Sequence, residues 1–120
     1  MKRIITLIIV AVTFVASAVA ANRQEASFPG GEKACKEFIT KNLVYPETSK
    51  ENGVEGVVVV SFTVKTDGSI GNIKIKRMVD PDLEAEAIRV VKKMPKWEPA
   101  SEDGAAVEST AELSFPFTLE

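Results

Sequence analysis

VVVVSFTVKTDGSIGNIKIKRMV, residues 57–79, is the stretch from which the fold is read. Val57 to Val64 is rich in β-branched residues and alternates. Val58, Val60, Phe62 and Val64 share one face; Val57, Val59, Ser61 and Thr63 share the other. Thr66-Asp67-Gly68-Ser69 is a tight-turn sequence, because Asp-Gly tolerates positive φ. Ile70 to Val79 returns as a second strand, with Ile73 and Ile75 inward and Lys74 and Lys76 outward. The two strands form a hairpin. Arg77-Met78 breaks the alternation and predicts a bulge or the strand end there.

Upstream of the hairpin, Phe28-Pro29-Gly30-Gly31 is a turn that opens a helix. From Glu32 to Leu43 the apolar positions are Ala34, Cys35, Phe38, Ile39 and Leu43, which is one helical face. Tyr45-Pro46 ends that run, and 47–56 is a polar connection with room for one helical turn. Downstream, Asp80-Pro81-Asp82 combines an N-cap residue, a first-turn proline and acids that suit the helix dipole. Leu83, Ala87, Val90, Val91 and Met94 form its apolar stripe, and Pro95 stops it. Residues 100–106 read as a small acidic loop. Val107 to Leu119 alternates again, with Ala111, Leu113, Phe115, Phe117 and Leu119 inward and Glu108, Thr110, Glu112 and Ser114 outward. The predicted fold is α+β. It is a two-layer sandwich with two helices on one face of a three-stranded antiparallel sheet, in the order α-β-β-α-β.

The first 21 residues differ from the rest. Met1-Lys2-Arg3 is basic, Ile4 to Ala18 carries no charge, and Ala18-Val19-Ala20 is a small-x-small pattern. Residues 1–21 are expected to be a secretory signal peptide, which places the domain in an exported compartment. The alternative is an uncleaved anchor, since 4–21 is just long enough for a marginal span. Residues 22–27 then read as a short polar lead and 28–120 as one domain. The 15 basic residues of the chain, less Lys2 and Arg3, leave 13 against 17 acidic ones. That balance argues against nucleic acid as a partner. One cysteine excludes an internal disulfide.

Chemistry is sparse. The chain has no histidine, hence no common general base and no ordinary zinc ligand set. Asp80, Asp82, Glu84 and Glu86 crowd one helix start, spaced as a solvated face. Residues 28–33 lack the spacing of a phosphate loop and no strand precedes them. Cys35 falls on an apolar helix face, as a buried thiol does. No catalytic residue, cofactor or metal site is expected, and an enzyme is the least favoured class. Pro116 is more informative. A proline inside an alternating strand removes a ladder donor and belongs on an edge. An open edge is either capped or used, and an extended peptide can add to it as a further strand.

Phe28-Pro29-Gly30-Gly31, Tyr45-Pro46, Asn52-Gly53-Val54-Glu55-Gly56, Asp67-Gly68-Ser69-Ile70, Val79-Asp80-Pro81, Met94-Pro95-Lys96-Trp97-Glu98-Pro99-Ala100 and Phe115-Pro116-Phe117 occur in this order. In that order they resemble the TonB C-terminal domain in its Bacteroidetes-type form. The resemblance implies an α-β-β-α-β fold and a periplasmic role in energy-coupled transport. It implies docking of the N-terminal segment of an outer-membrane transporter, the TonB box, by strand addition to the last strand. The residues it carries over are Val107, Glu108, Ser109, Thr110, Ala111, Glu112, Leu113 and Ser114, with Tyr45 and Pro46 as the motif associated with receptor contact. Trp97, set between Pro95 and Pro99, reads as a structural clamp that fixes where the last strand begins. Pro116 completes that structural set.

Three features depart from the family. The apolar run 4–21 has only Thr6, Thr13 and Ser17 as polar residues, where the family's anchor has a polar face for its proton-driven motor. Six residues, 22–27, stand where the family has a long Pro-rich spacer, and six residues reach about 20 Å at most. The expectation is a receptor-binding end without that engine, serving as an adaptor, as a competitor of a full-length family member, or as one part of a system whose force comes from a separate motor-bearing protein. Residues 102–106 are acidic where many relatives are basic. The competing expectation is a self-associating domain whose open edge pairs with a second copy.

Overall fold

The structure, a computed structural model, describes residues 22–119 together with the backbone of Thr13–Phe14. The signal peptide or anchor expected over residues 1–21 lies outside the described residues, apart from that dipeptide. The elements are β1 (Thr13–Phe14), β2 (Arg23–Gln24), α1 (Glu32–Asn42), α2 (Glu47–Glu51), β3 (Gly56–Val64), β4 (Ile70–Arg77), α3 (Pro81–Lys92), β5 (Ala100–Glu102), β6 (Ala105–Val107) and β7 (Ser109–Phe117). The fold is α+β, with two antiparallel sheets. The larger has the order β1-β7-β3-β4 and the smaller β2-β5-β6.

The expected hairpin is present. Lys65 N–H donates to Ser69 O, and Gly68 takes φ +87°. Asp67 stiffens the turn: its carboxylate accepts from the Ser69 N–H at 2.9 Å and the Ser69 hydroxyl at 2.7 Å. These bonds favour the charged form and hold Asp67 below the ordinary carboxylate range. Strand β4 ends at Arg77, short of Val79. Its register against β3 slips twice, between Val59 and Val60 and between Ser61 and Thr63. Asn72 takes φ 48° inside the second slip, so it is the extra residue of a bulge.

One face of the larger sheet is buried. Val58, Val60, Phe62 and Val64 from β3 join Ala111, Leu113, Phe115 and Phe117 from β7. Cys35 and Ile39 of α1 and Leu83, Ala87, Val90 and Val91 of α3 close the same core. Helix α3 starts as expected: the Asp80 carboxylate accepts from the Asp82 and Leu83 N–H groups, and Pro81 is the first helical residue. Asp80 also accepts from the Ser49 hydroxyl at 3.0 Å, which ties the extra short helix α2 to α3.

The chain ends of the domain differ from expectation. Residues 22–27 are not a free lead. Arg23 and Gln24 pair with Glu102 and Ser101, and Ser27 exchanges two backbone hydrogen bonds with Glu98. Ala26 is buried in the core. Residues 100–106 are not a loop but most of a second hairpin, β5–β6, turned by Asp103 and Gly104 at φ 52° and 84°. The predicted last strand is therefore split. Val107 ends β6, Glu108 stands at the break, and the long strand begins at Ser109.

Candidate functional site: the open edge of the sheet

Strand β7 pairs with β3 over nine consecutive positions, from Ser109 opposite Val64 to Phe117 opposite Gly56, with no slip. Its other side is the edge of the β7-β3-β4 core. There the backbone of Thr13–Phe14 adds as a short antiparallel strand, Thr13 opposite Glu112 and Phe14 opposite Ala111. Pro116 lies in β7 opposite Val57, near the strand's end. A proline there offers no N–H to an outer strand, so the length of edge able to pair is Ser109 to Phe115.

The residues of β7 divide by face. Ser109, Ala111, Leu113, Phe115 and Phe117 are buried toward the helices. Thr110, Glu112, Ser114 and Pro116 lie on the other, half-exposed face. Glu112 is the one charged residue in β7. Its carboxylate meets Lys76 Nζ at 2.6 Å. That lysine reaches it from β4, across β3.

The site residues read from sequence thus separate. Ser109 to Ser114 fall on the edge strand. Val107 and Glu108 do not, because the Asp103-Gly104 turn draws Val107 into the smaller sheet opposite Ala100. The signal for that turn was in the sequence, since Asp103-Gly104 repeats the hairpin dipeptide of Asp67-Gly68. Tyr45 and Pro46 adjoin the far end of β7 rather than its edge. The Tyr45 ring packs edge-on against Phe117 at 5.3 Å, and its hydroxyl donates to Val54 O. Tyr45 is 5% exposed, so it presents almost no surface of its own. Pro46 is half-buried and precedes α2.

Trp97 is 2% exposed and lies edge-on to Phe62 at 5.2 Å and to Phe28 at 5.9 Å. Its backbone N–H donates to Gly68 O at 2.8 Å, in the turn of the β3–β4 hairpin. A Cβ at Gly68 would collide with the Trp97 carbonyl, so glycine is required both for its φ and for this close approach. The Trp97 Nε1–H is buried with no acceptor among the described residues. The ring therefore sits between the hairpin turn and the N-terminal segment, with no face open to a ligand. Pro95 and Pro99 flank it in the connection from α3 to β5.

Cys35 is 2% exposed, and burial, with a smaller contribution from Glu32, pushes its thiol up to about 11. It remains a neutral thiol near pH 7. Among the described residues no group of three or more His, Cys, Asp or Glu is placed to hold a metal ion, and no helix is long and apolar enough to cross a membrane.

Fold and site together define a small α+β domain in which the outer side of the long strand β7 pairs with only the two residues Thr13–Phe14. The family of the Gram-negative bacterial TonB protein C-terminal region matches residues 41–119, and the chain belongs to it. It is similar to a protein TonB of Pseudomonas aeruginosa, 34% identical over 79 residues. That alignment takes in 64% of this chain and 22% of the relative, so the chain matches about a fifth of that protein's length.

Proposed function

We propose that this domain is a TonB-like, periplasmic binding module of energy-coupled transport across the outer membrane. It binds the extended N-terminal segment of an outer-membrane transporter by adding it as a strand to β7, over Ser109 to Phe115. It performs no chemistry. The observation that carries this reading is the edge itself. It is long, regular and free of lysine and arginine, and the two-residue strand Thr13–Phe14 already lies along it. A sheet edge of that kind pairs readily with an extended chain. Family membership supports the transport role.

The test is an NMR titration of residues 22–120 with N-terminal peptides of outer-membrane transporters from the same organism. The reading expects saturable shifts that begin at the amides of Ser109 to Ser114. Absence of any shift at millimolar peptide sinks it. Sedimentation of the same sample checks the rival use of the edge, pairing with a second copy: a tight dimer with no peptide affinity would replace the proposal.

A further inference from the structure

The larger sheet has two faces, and the buried residues of α1 and α3 pack on one of them. Val57, Val59, Ser61 and Thr63 of β3 and Thr110, Glu112, Ser114 and Pro116 of β7 lie on the other, and all eight are half-exposed. Val57 stands opposite Pro116. With Val59 they make the end of this face near the start of β3 apolar. Strand β4 borders the face with cations. Lys74 is opposite Ser61 and Arg77 opposite Val59, and residues directly opposite one another share a face. Lys76 belongs to it too, since its Nζ meets the Glu112 carboxylate at 2.6 Å. All three cations are exposed. Three cations against one acid leave this face positive, in a chain whose net charge is −2. Met78 follows directly and is 77% exposed. Two of the acids just beyond it are turned to backbone N–H groups: Asp80 accepts from Asp82 and Leu83, and Glu84 from Val79.

Cations on an edge strand discourage pairing, but that role asks for charge alone. It does not ask for an exposed methionine at the end of the cationic run or for valines beside it. We infer that this uncovered face lays the domain against an anionic lipid surface. Lys74 and Arg77 meet the headgroup phosphates, and Met78 enters the boundary between headgroups and acyl chains. A sheet face is broad and shallow, so it matches a bilayer and offers no cleft in which to hold an acidic peptide. The chain's net negative charge does not forbid the contact, because salt at physiological strength screens charges more than about 8 Å away. The inference is independent of strand addition and leaves the outer side of β7 to its own partner.

The experiment is flotation of the full-length chain with vesicles of phosphatidylcholine alone or with about 30% phosphatidylglycerol. The apolar run 4–21 contributes to both, so the readout is the ratio of binding to the two vesicles. The ratio is expected to be about tenfold at low salt and to approach one at roughly 0.5 M salt. Lys74→Thr with Arg77→Thr should lower it at least fivefold, since each cation near an anionic surface is worth about that factor. Lys74→Arg with Arg77→Lys should retain it. Met78→Ser should weaken binding to the anionic vesicles about threefold. Circular dichroism verifies that each variant is folded. Equal binding to both vesicles overturns the inference. A ratio unchanged in the double threonine variant assigns the attraction to other cations, Lys2 and Arg3 among them, and also overturns it. Binding of a soluble oligoglutamate peptide in preference to the anionic vesicles would make the partner an acidic protein segment and overturn it as well.

Discussion

The two edges of the β7-β3-β4 core are built oppositely. Strand β4 carries Lys74, Lys76 and Arg77, slips register twice, and bulges at Asn72 with a left-handed backbone. Lysines and bulges are the devices by which sheets discourage pairing at an edge. Strand β7 has neither. Its nine pairs run without a slip, and its outward residues are Thr110, Glu112, Ser114 and Pro116. Both edges belong to one small domain and face the same solvent, so the difference is not imposed by surroundings. It lies in side chains and backbone twist. The lesson is that an edge is defined by what prevents pairing as much as by what permits it.

The severest way to break this comparison is to remove what holds both edges in place. Trp97 contacts Phe62 of β3, bonds the turn that leads into β4, and precedes the segment that leads to β7. Trp97→Ala is expected to cost about 3–5 kcal/mol, measured by urea unfolding. That is a large share of the stability of a domain this size. A loss under 1 kcal/mol would show that the ring does not hold the frame.

A gentler change makes β7 resemble β4. Thr110→Lys with Ser114→Lys places cations on the open edge while leaving the buried face untouched. Peptide affinity is expected to fall roughly tenfold, about 1.4 kcal/mol, with stability changed by about 0.5 kcal/mol or less. Unchanged affinity by titration calorimetry would move the docking site elsewhere. The converse makes β4 resemble β7. Lys74→Thr with Arg77→Thr removes two guarding charges and should raise concentration-dependent self-association in sedimentation velocity. The two bulges remain, so the rise should be smaller than the change at β7. If association does not rise at all, the bulges alone guard that edge.

The smallest effect is expected where the two edges are tied together. The Lys76–Glu112 pair spans the sheet, but the lysine side chain is 59% exposed. Lys76→Ala should cost about 0.5 kcal/mol or less, and less again in high salt. A loss well above that by thermal unfolding would mean the pair does more than neutralise an edge carboxylate.

Much of this architecture was legible before any coordinates. The alternation at 57–64 and 107–119, the Asp67-Gly68 turn and the Asp80-Pro81 helix start are local signals, each set by a residue and its near neighbours. Of the candidate site, Ser109 to Ser114 were legible, because alternation and Pro116 both mark that strand. Val107 and Glu108 were misplaced because the second Asp-Gly turn was taken for a loop. The resemblance associates Tyr45 with receptor contact, and the structure buries it. Its burial depends on Phe117 and Val54, and nothing adjacent to it in sequence predicts that contact.

What the sequence determined by itself is where the long strands and helices lie and which of their faces are apolar. Both follow from the two-residue and 3.6-residue periods of a chain that buries one side of each element. Only the tertiary structure decided that residues 22–27 belong to the domain. The pairing of Arg23 with Glu102 joins positions 79 residues apart, and no local pattern encodes it. It likewise decided that the outer side of β7 meets only the two residues Thr13–Phe14. How much of a strand is covered is settled by where all the other strands have gone.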